Sequence, residues 1–160
     1  MKVTDSHVYF YSKTVFSNWY LCILIDPLTG LAFNNTEVAF MYYKADFFKD
    51  ELVKNKLSKE LSPKNAKQFG REIKNFDNNA WHCVKFGYMV YVNYLKFSQD
   101  ENLKQQLLNT GNKVLVEASK TDLVWGVGIS ENDDKILDDE NWPGENLLGK
   151  ALMRVRNLVK

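Results

Sequence analysis

Metal ligands are scarce in this chain. It holds two cysteines, Cys22 and Cys83, and two histidines, His7 and His82. All four are isolated, and no HxxxH or CxxC spacing occurs, so neither a zinc site nor a disulfide framework is expected. Both cysteines sit in apolar runs and read as small buried hydrophobes of a reducing compartment. Long apolar runs are missing as well. None approaches the roughly 18 residues that signal a membrane helix, and Met1-Lys2-Val3-Thr4-Asp5 lacks the apolar core of a secretory leader. There is also no excess of one charge: 21 Lys and Arg stand against 20 Asp and Glu. Nothing in that balance draws the chain to nucleic acid or to a membrane. The expectation is a soluble, cytoplasmic protein with no metal, no cofactor, no membrane contact and no implied stable protein partner.

Core material, by contrast, is plentiful. Hydrophobic residues make up 45% of the chain and aromatic residues 14%. At this length one domain over residues 1–160 is expected, able to bury roughly two-thirds of its unfolded surface. Charge is locally uneven: Lys54 to Lys74 carries seven basic and two acidic residues, and Glu131 to Glu140 six acidic residues and one lysine. Both runs read as solvated surface, with a phosphate-facing role as the alternative for the first.

The order of elements follows from local signals. Val8–Tyr11 reads as a strand. Tyr20–Ile25 reads as a buried strand, returning through Leu31–Phe33 after the turn Asp26-Pro27-Leu28-Thr29-Gly30. Ser62-Pro63 caps and opens a helix to about Phe76, and Asn79 can cap another from Ala80 to about Phe97. Asp100 opens a short helix that stops at Gly111. Lys113–Ala118 is strand-like, and Asn146 to about Leu158 is an amphipathic helix. No repeat or linker divides the chain. Strands, then helices, one strand and a last helix predict an α+β fold, helix-rich, with a small antiparallel sheet.

The stretch Asn35–Phe48 is the most telling. It reads as a helix that is apolar nearly all round, yet it carries Glu37 and Lys44. Seven residues at 3.6 per turn bring both to one side, together with Met41 and Phe48. Two ionisable groups on the buried side of a helix cost several kcal/mol unless paired, solvated or used. Glu37 also sits in the first turn, where the helix dipole favours a carboxylate. A structural reading, as part of a cap or an internal ion pair, stands beside the functional one. A second region, Thr121–Ile129 and Trp142–Met153, sets tryptophans beside glycines. Gly126 and Gly128 permit close backbone approach, and Gly144 before a helix suggests free N–H groups for an anion. Each feature alone is weak: a Trp-Gly loop is more often a packing corner than a binding site, and the spacing matches no phosphate-loop fingerprint.

Taken in order, several blocks resemble the NADAR family, also called YbiA-like. They are Phe16-Ser17-Asn18-Trp19-Tyr20, Thr36-Glu37 with Lys44, Ala66-Lys67-Gln68-Phe69-Gly70-Arg71, and Trp81 at a helix start. Further along come Tyr94-Leu95-Lys96-Phe97, Leu107–Gly111, Leu115–Ser119, Asp122-Leu123-Val124-Trp125-Gly126 and Asn146–Arg156. The resemblance implies an N-glycosidase. Some members act on phosphoribosylated intermediates of riboflavin synthesis, and others, tied to NAD metabolism, remove ADP-ribose from guanine in nucleic acid. It also implies the site residues: Glu37, Asp122 and Trp81 match the family's catalytic positions.

N-glycosidic cleavage passes through an oxocarbenium-like transition state, which a nearby carboxylate stabilises. Glu37 suits that role and Asp122 water activation or ribose binding, the two being exchangeable. Lys44 would keep Glu37 ionised. Trp81 would stack on the base or, alternatively, anchor its helix start, and Trp125 would wall the pocket. Asn18 and Asn146 are candidates for ribose hydroxyls and Arg71 for phosphate, with Phe16, Ser17 and Gly126 completing the substrate-binding set. Here Val127 and an insertion from Ser130 to Trp142 replace the Asp and glycines that YbiA-type members carry after the Trp-Gly pair. That departure favours ADP-ribosylated guanine, free or carried on nucleic acid, over riboflavin precursors. A non-catalytic ADP-ribose-binding module is the other class, disfavoured because a pure binder has no need of a carboxylate at the anomeric carbon.

Overall fold

The computed structural model describes residues 1–160 and divides them into two units. The first comprises Met1–Ser17 with Asp100–Lys160, and the second Asn18–Gln99. No helix is long and apolar enough to cross a membrane.

The first unit is built on a three-stranded sheet in the order β1-β2-β5: β1 (Lys2–Val3), β2 (His7–Phe10) and β5 (Val114–Glu117). β1 pairs antiparallel with β2, whereas β2 pairs parallel with β5, His7 opposite Val114 and Phe10 opposite Glu117. The α+β class is as expected, but this sheet is mixed rather than wholly antiparallel. Parallel neighbours need a long connection, and residues 11–113 supply it. Tyr9, Val116, Ala118, Val127 and Ile136 form a buried cluster beside the sheet. Helix α5 (Glu101–Leu108) is capped by Asp100, whose side chain accepts from Leu103 N–H. Helix α6 (Leu147–Leu158) lies so close to β5 that a Cβ on Gly149 would strike the Leu115 carbonyl. Arg156 of α6 is buried and donates to Thr110 Oγ1 at 2.7 Å and to the Lys113 carbonyl at 2.9 Å.

The acidic insertion is a folded feature. It forms two short 3-10 segments, Asp134–Leu137 and Asp139–Asn141. Ile136 is fully buried, Trp142 Nε1 donates to its carbonyl at 2.8 Å, and Asp139 meets His7 Nε2 at 2.8 Å.

The second unit holds the hairpin β3 (Leu24–Ile25) and β4 (Ala32–Phe33) and helices α1 (Thr36–Phe47), α2 (Glu51–Leu57), α3 (Pro63–Glu72) and α4 (Asn78–Gln99). The expected strand Tyr20–Ile25 shrinks to two paired residues. Only one face of the hairpin packs, through Leu24 and Phe33, while Leu21 and Ile23 on the other face are 70% and 73% exposed. Gln99 covers the open edge of β3, donating to and accepting from the backbone of Ile25. The turn is held by Asp26, fully buried, which accepts from Tyr91, Thr29 and Leu28 N–H.

Helix ends mostly follow the caps. Asn35 caps α1 by accepting from Val38 N–H, and Ser62 with Pro63 opens α3. α3 stops at Glu72, short of Phe76, because Asp50 captures Lys74 N–H and Asn75 takes a left-handed conformation at φ 56°. Asp77, not Asn79, caps α4, accepting from Ala80 N–H at 2.9 Å. α2 was not anticipated, although Asp50 caps it in the usual way. Cys22 is half-buried and Cys83 exposed, so the expectation of two buried thiols does not hold.

Candidate active site

In the second unit, α1 carries Glu37 at its second helical position, 7% exposed. Its backbone N–H is among those a helix start leaves without an intrahelical partner. It donates instead to the Asn18 carbonyl at 3.1 Å. Thr36, also buried, donates its hydroxyl to both the carbonyl and Oδ1 of Asn18, each at 3.1 Å. The Asn18 side chain, expected on a ribose hydroxyl, is thus built into the start of α1, with Nδ2 against Met89 Sδ at 3.3 Å.

Lys44 donates to the Gly70 carbonyl at 2.7 Å and lies over the Phe76 ring at 4.3 Å, with the Trp81 ring 6.0 Å away. Burial pushes its pKa below the ordinary lysine value. The ammonium is therefore held by a carbonyl and an aromatic face, not by the Glu37 carboxylate expected from their shared side. α3 can bring that carbonyl close because Gly70 has no side chain: a Cβ there would strike Met41 Sδ. Arg71, next along α3, is exposed.

Trp81 is 7% exposed and enclosed by aromatic rings. Its indole is stacked on Tyr88 at 5.7 Å and 21°, with Phe40, Phe47 and Phe48 tilted around it. Tyr88 in turn stacks on Tyr43 at 5.8 Å. This packing favours the helix-anchoring alternative for Trp81.

In the first unit, Phe16 and Ser17 are buried, the Phe16 ring 5.5 Å from Phe10. Asp122 Oδ1 accepts from Val124 N–H at 3.0 Å and Trp125 N–H at 2.8 Å, so it shapes the Trp125–Gly126 loop. A Cβ on Gly126 would sit 2.9 Å from both the Glu117 carbonyl and Ser119 Cβ, which explains glycine there. The anion site expected at Gly144 is filled by the protein itself. Five successive N–H groups, 144 to 148, donate to the carbonyls of Val127, Leu123, Gly126, Val124 and Trp125. Asn146 takes a left-handed conformation at φ 53°. Its amide completes the edge of β5, Nδ2 donating to Leu115 O at 2.9 Å and Oδ1 accepting from Glu117 N–H at 3.1 Å. Both atoms offered to a ribose are used within the fold.

The structure thus groups Asn18, Thr36 and Glu37, then Lys44 with Trp81, and separately Asp122, Trp125, Gly126 and Asn146. Asn93 was missed. It is fully buried on α4 and donates to Asn18 Oδ1. An asparagine four positions after Met89, between the buried Val92 and Leu95 of α4, was the available signal.

These elements define an α+β protein with a carboxylate buried at a helix start, and comparison with known proteins gives that class a family. A profile described as the NADAR domain matches residues 9–160, so the chain belongs to the NADAR family. The NMR structure of the E. coli protein YbiA superposes with a TM-score of 0.77 at 27% identity, covering 99% of this chain and 87% of that one. An N-glycosidase of Acanthamoeba polyphaga mimivirus is 35% identical over 96% of each chain. A riboflavin biosynthesis protein of Vibrio vulnificus is 27% identical over 96% of this chain, which spans only 39% of that longer protein.

Proposed function

We propose that this chain is an N-glycosidase that hydrolyses the bond between ADP-ribose and a guanine base. The observation that carries the reading is Glu37: a buried carboxylate at a helix start, its backbone fixed by Asn18, in a family whose relatives are named N-glycosidases. As the C1′–N bond breaks, its electron pair leaves with the base and positive charge develops on the ribose. The Glu37 carboxylate stabilises that charge. Water adds to C1′, and its proton ends on the departing base or in solvent. Arg71, exposed on α3, is the cation suited to the diphosphate of the substrate. Asp122 serves by holding the Trp125–Gly126 loop. The preference for an ADP-ribosyl substrate is supported by Val127 and by the folded Ser130–Trp142 insertion, where YbiA-type members differ.

The test is incubation with ADP-ribosylated guanosine and, separately, with a ribosylaminopyrimidine phosphate of the riboflavin route. Release of guanine and ADP-ribose from the first supports the reading. Binding without release would indicate a non-catalytic module, and release from the pyrimidine substrate alone would assign the chain to riboflavin intermediates.

A further inference from the structure

We infer that Asn93 is a positioning residue for Glu37, acting through Asn18 and Thr36 on the first turn of α1. The inference rests on the assignment of Glu37 as the reacting carboxylate.

Asparagine is a poor choice for this place on grounds of stability. It is a weak helix former, and burying its amide is unfavourable unless both ends are bonded. Asn93 is fully buried, and its Oδ1 has no hydrogen-bond partner. Its Nδ2 donates to Asn18 Oδ1 at 3.3 Å and to the Met89 carbonyl at 3.1 Å. The Met89 thioether also faces Nδ2, at 3.3 Å, and all three facing atoms are acceptors, which fixes which end of the amide points at Asn18. A buried polar atom left unpartnered marks a residue retained for something other than stability.

What Asn93 donates to is the hub of the Glu37 turn. Asn18 Oδ1 receives Asn93 on one side and the Thr36 hydroxyl on the other, while the Asn18 carbonyl receives Thr36 and the Glu37 N–H. The other end of the Asn18 amide meets only the Met89 thioether, a weak acceptor. Asn93 is therefore a strong partner in orienting the Asn18 side chain. Without it, Asn18 and the Thr36 hydroxyl gain freedom, and the peptide that carries Glu37 loses its fixed place. Stabilising an oxocarbenium centre depends on where the carboxylate stands, so loss of alignment falls on the chemical step rather than on binding.

The experiment compares Asn93→Leu and Asn93→Asp with the parent on ADP-ribosylated guanosine, with Glu37→Gln in parallel. Asn93→Leu keeps the volume and removes the donor. The expected result is an unchanged or higher melting temperature, KM within about twofold, and kcat lower by roughly tenfold or more. Asn93→Asp introduces a carboxyl whose pKa burial raises. When protonated it can donate to Asn18 Oδ1, and when ionised it repels both Asn18 Oδ1 and the Met89 carbonyl. Its kcat should approach the parent at low pH and fall on a descending limb that the parent lacks, which a purely structural role would not produce. Parent-like kcat in Asn93→Leu, with a parent-like pH profile in Asn93→Asp, would overturn the inference. If that occurs while Glu37→Gln is inactive, only the positioning role fails. An active Glu37→Gln would instead sink the Glu37 assignment. Should Asn93→Leu not fold, Thr36→Val removes the next bond along the same path, and the loss of kcat at constant KM is expected there too.

Discussion

The indole of Trp81 lies flat on the phenol ring of Tyr88, their centroids 5.7 Å apart and their planes 21° from parallel. One face of the tryptophan is thereby occupied by its own helix neighbour seven residues on, and Phe40, Phe47 and Phe48 close around the rest. Trp81→Ala should cost about 3–5 kcal/mol, the range for a buried tryptophan. Turnover per folded molecule should stay within a few-fold of the parent, and Trp81→Phe should recover much of the stability. Melting temperature and initial rate measured on one preparation separate this from a role in stacking on the base. In that case Trp81→Ala would melt near the parent and bind substrate poorly.

Asn146 offers a second stability test. Its amide satisfies Leu115 O and Glu117 N–H on β5, and its backbone is left-handed. Asn146→Ala leaves two buried backbone groups without partners, each worth about 1–3 kcal/mol, and adds strain at positive φ. Asn146→Gly removes the amide without that strain and should be the milder of the two. Urea denaturation of both variants checks the order. A ribose-binding role alone would leave both as stable as the parent.

Acid sensitivity should arise at Asp26. Burial alone would raise its carboxyl, but hydrogen bonds from Tyr91, Thr29 and Leu28 N–H and the nearby Tyr43 phenol bring it down to about 2. The folded value lies below the unfolded one of about 3.9, so the native state holds fewer protons across that interval. The stabilisation, about 2 kcal/mol, is fully present above about pH 4 and is lost as pH falls toward 2. The same carboxylate, after burial, pushes the Tyr91 phenol up to about 12. Tyr91→Phe should therefore reduce stability at neutral pH and flatten its dependence between about pH 4 and 2. An unchanged slope in acid titrations followed by circular dichroism would locate the sensitivity elsewhere.

How much of this was written in the chain differs between backbone and side chains. Ser62-Pro63 and Asp100 marked their helix starts because a cap acts within three residues. The hairpin turn at Asp26–Gly30 was legible for the same reason. The parallel pairing of β2 with β5 was not, since two distant strands carry no local sign of their relative direction. Glu37 stood out as a charge on an apolar helix, and the family blocks placed it in context. The uses of Asn18, Asn146 and Lys44 were hidden. Lys44 and Asn146 answer to backbone groups supplied from elsewhere in the chain, and the Asn18 amide to the side chains of Thr36, Met89 and Asn93; side-chain type alone cannot say whether an amide faces a substrate or the fold.

Selectivity should follow the departure after Gly126. The segment from Val127 to Trp142 is pinned by buried Ile136 and the Trp142 bond to its carbonyl. Comparing kcat/KM should show ADP-ribosylated guanosine preferred over ribosylaminopyrimidine phosphates. A clear preference for the latter would refute the assignment of substrate while leaving N-glycosidase chemistry intact.

The central claim is that the Glu37 carboxylate stabilises the developing ribosyl cation. Its most direct test is single-turnover hydrolysis of ADP-ribosylated guanosine by Glu37→Gln, with ligand affinity and melting temperature measured on the same sample. The substitution keeps the size of the side chain and the N–H bond to Asn18 but removes the charge. Hydrolysis slower by about three orders of magnitude or more, at near-parental affinity and melting temperature, is the predicted result. A rate within tenfold of the parent would contradict it.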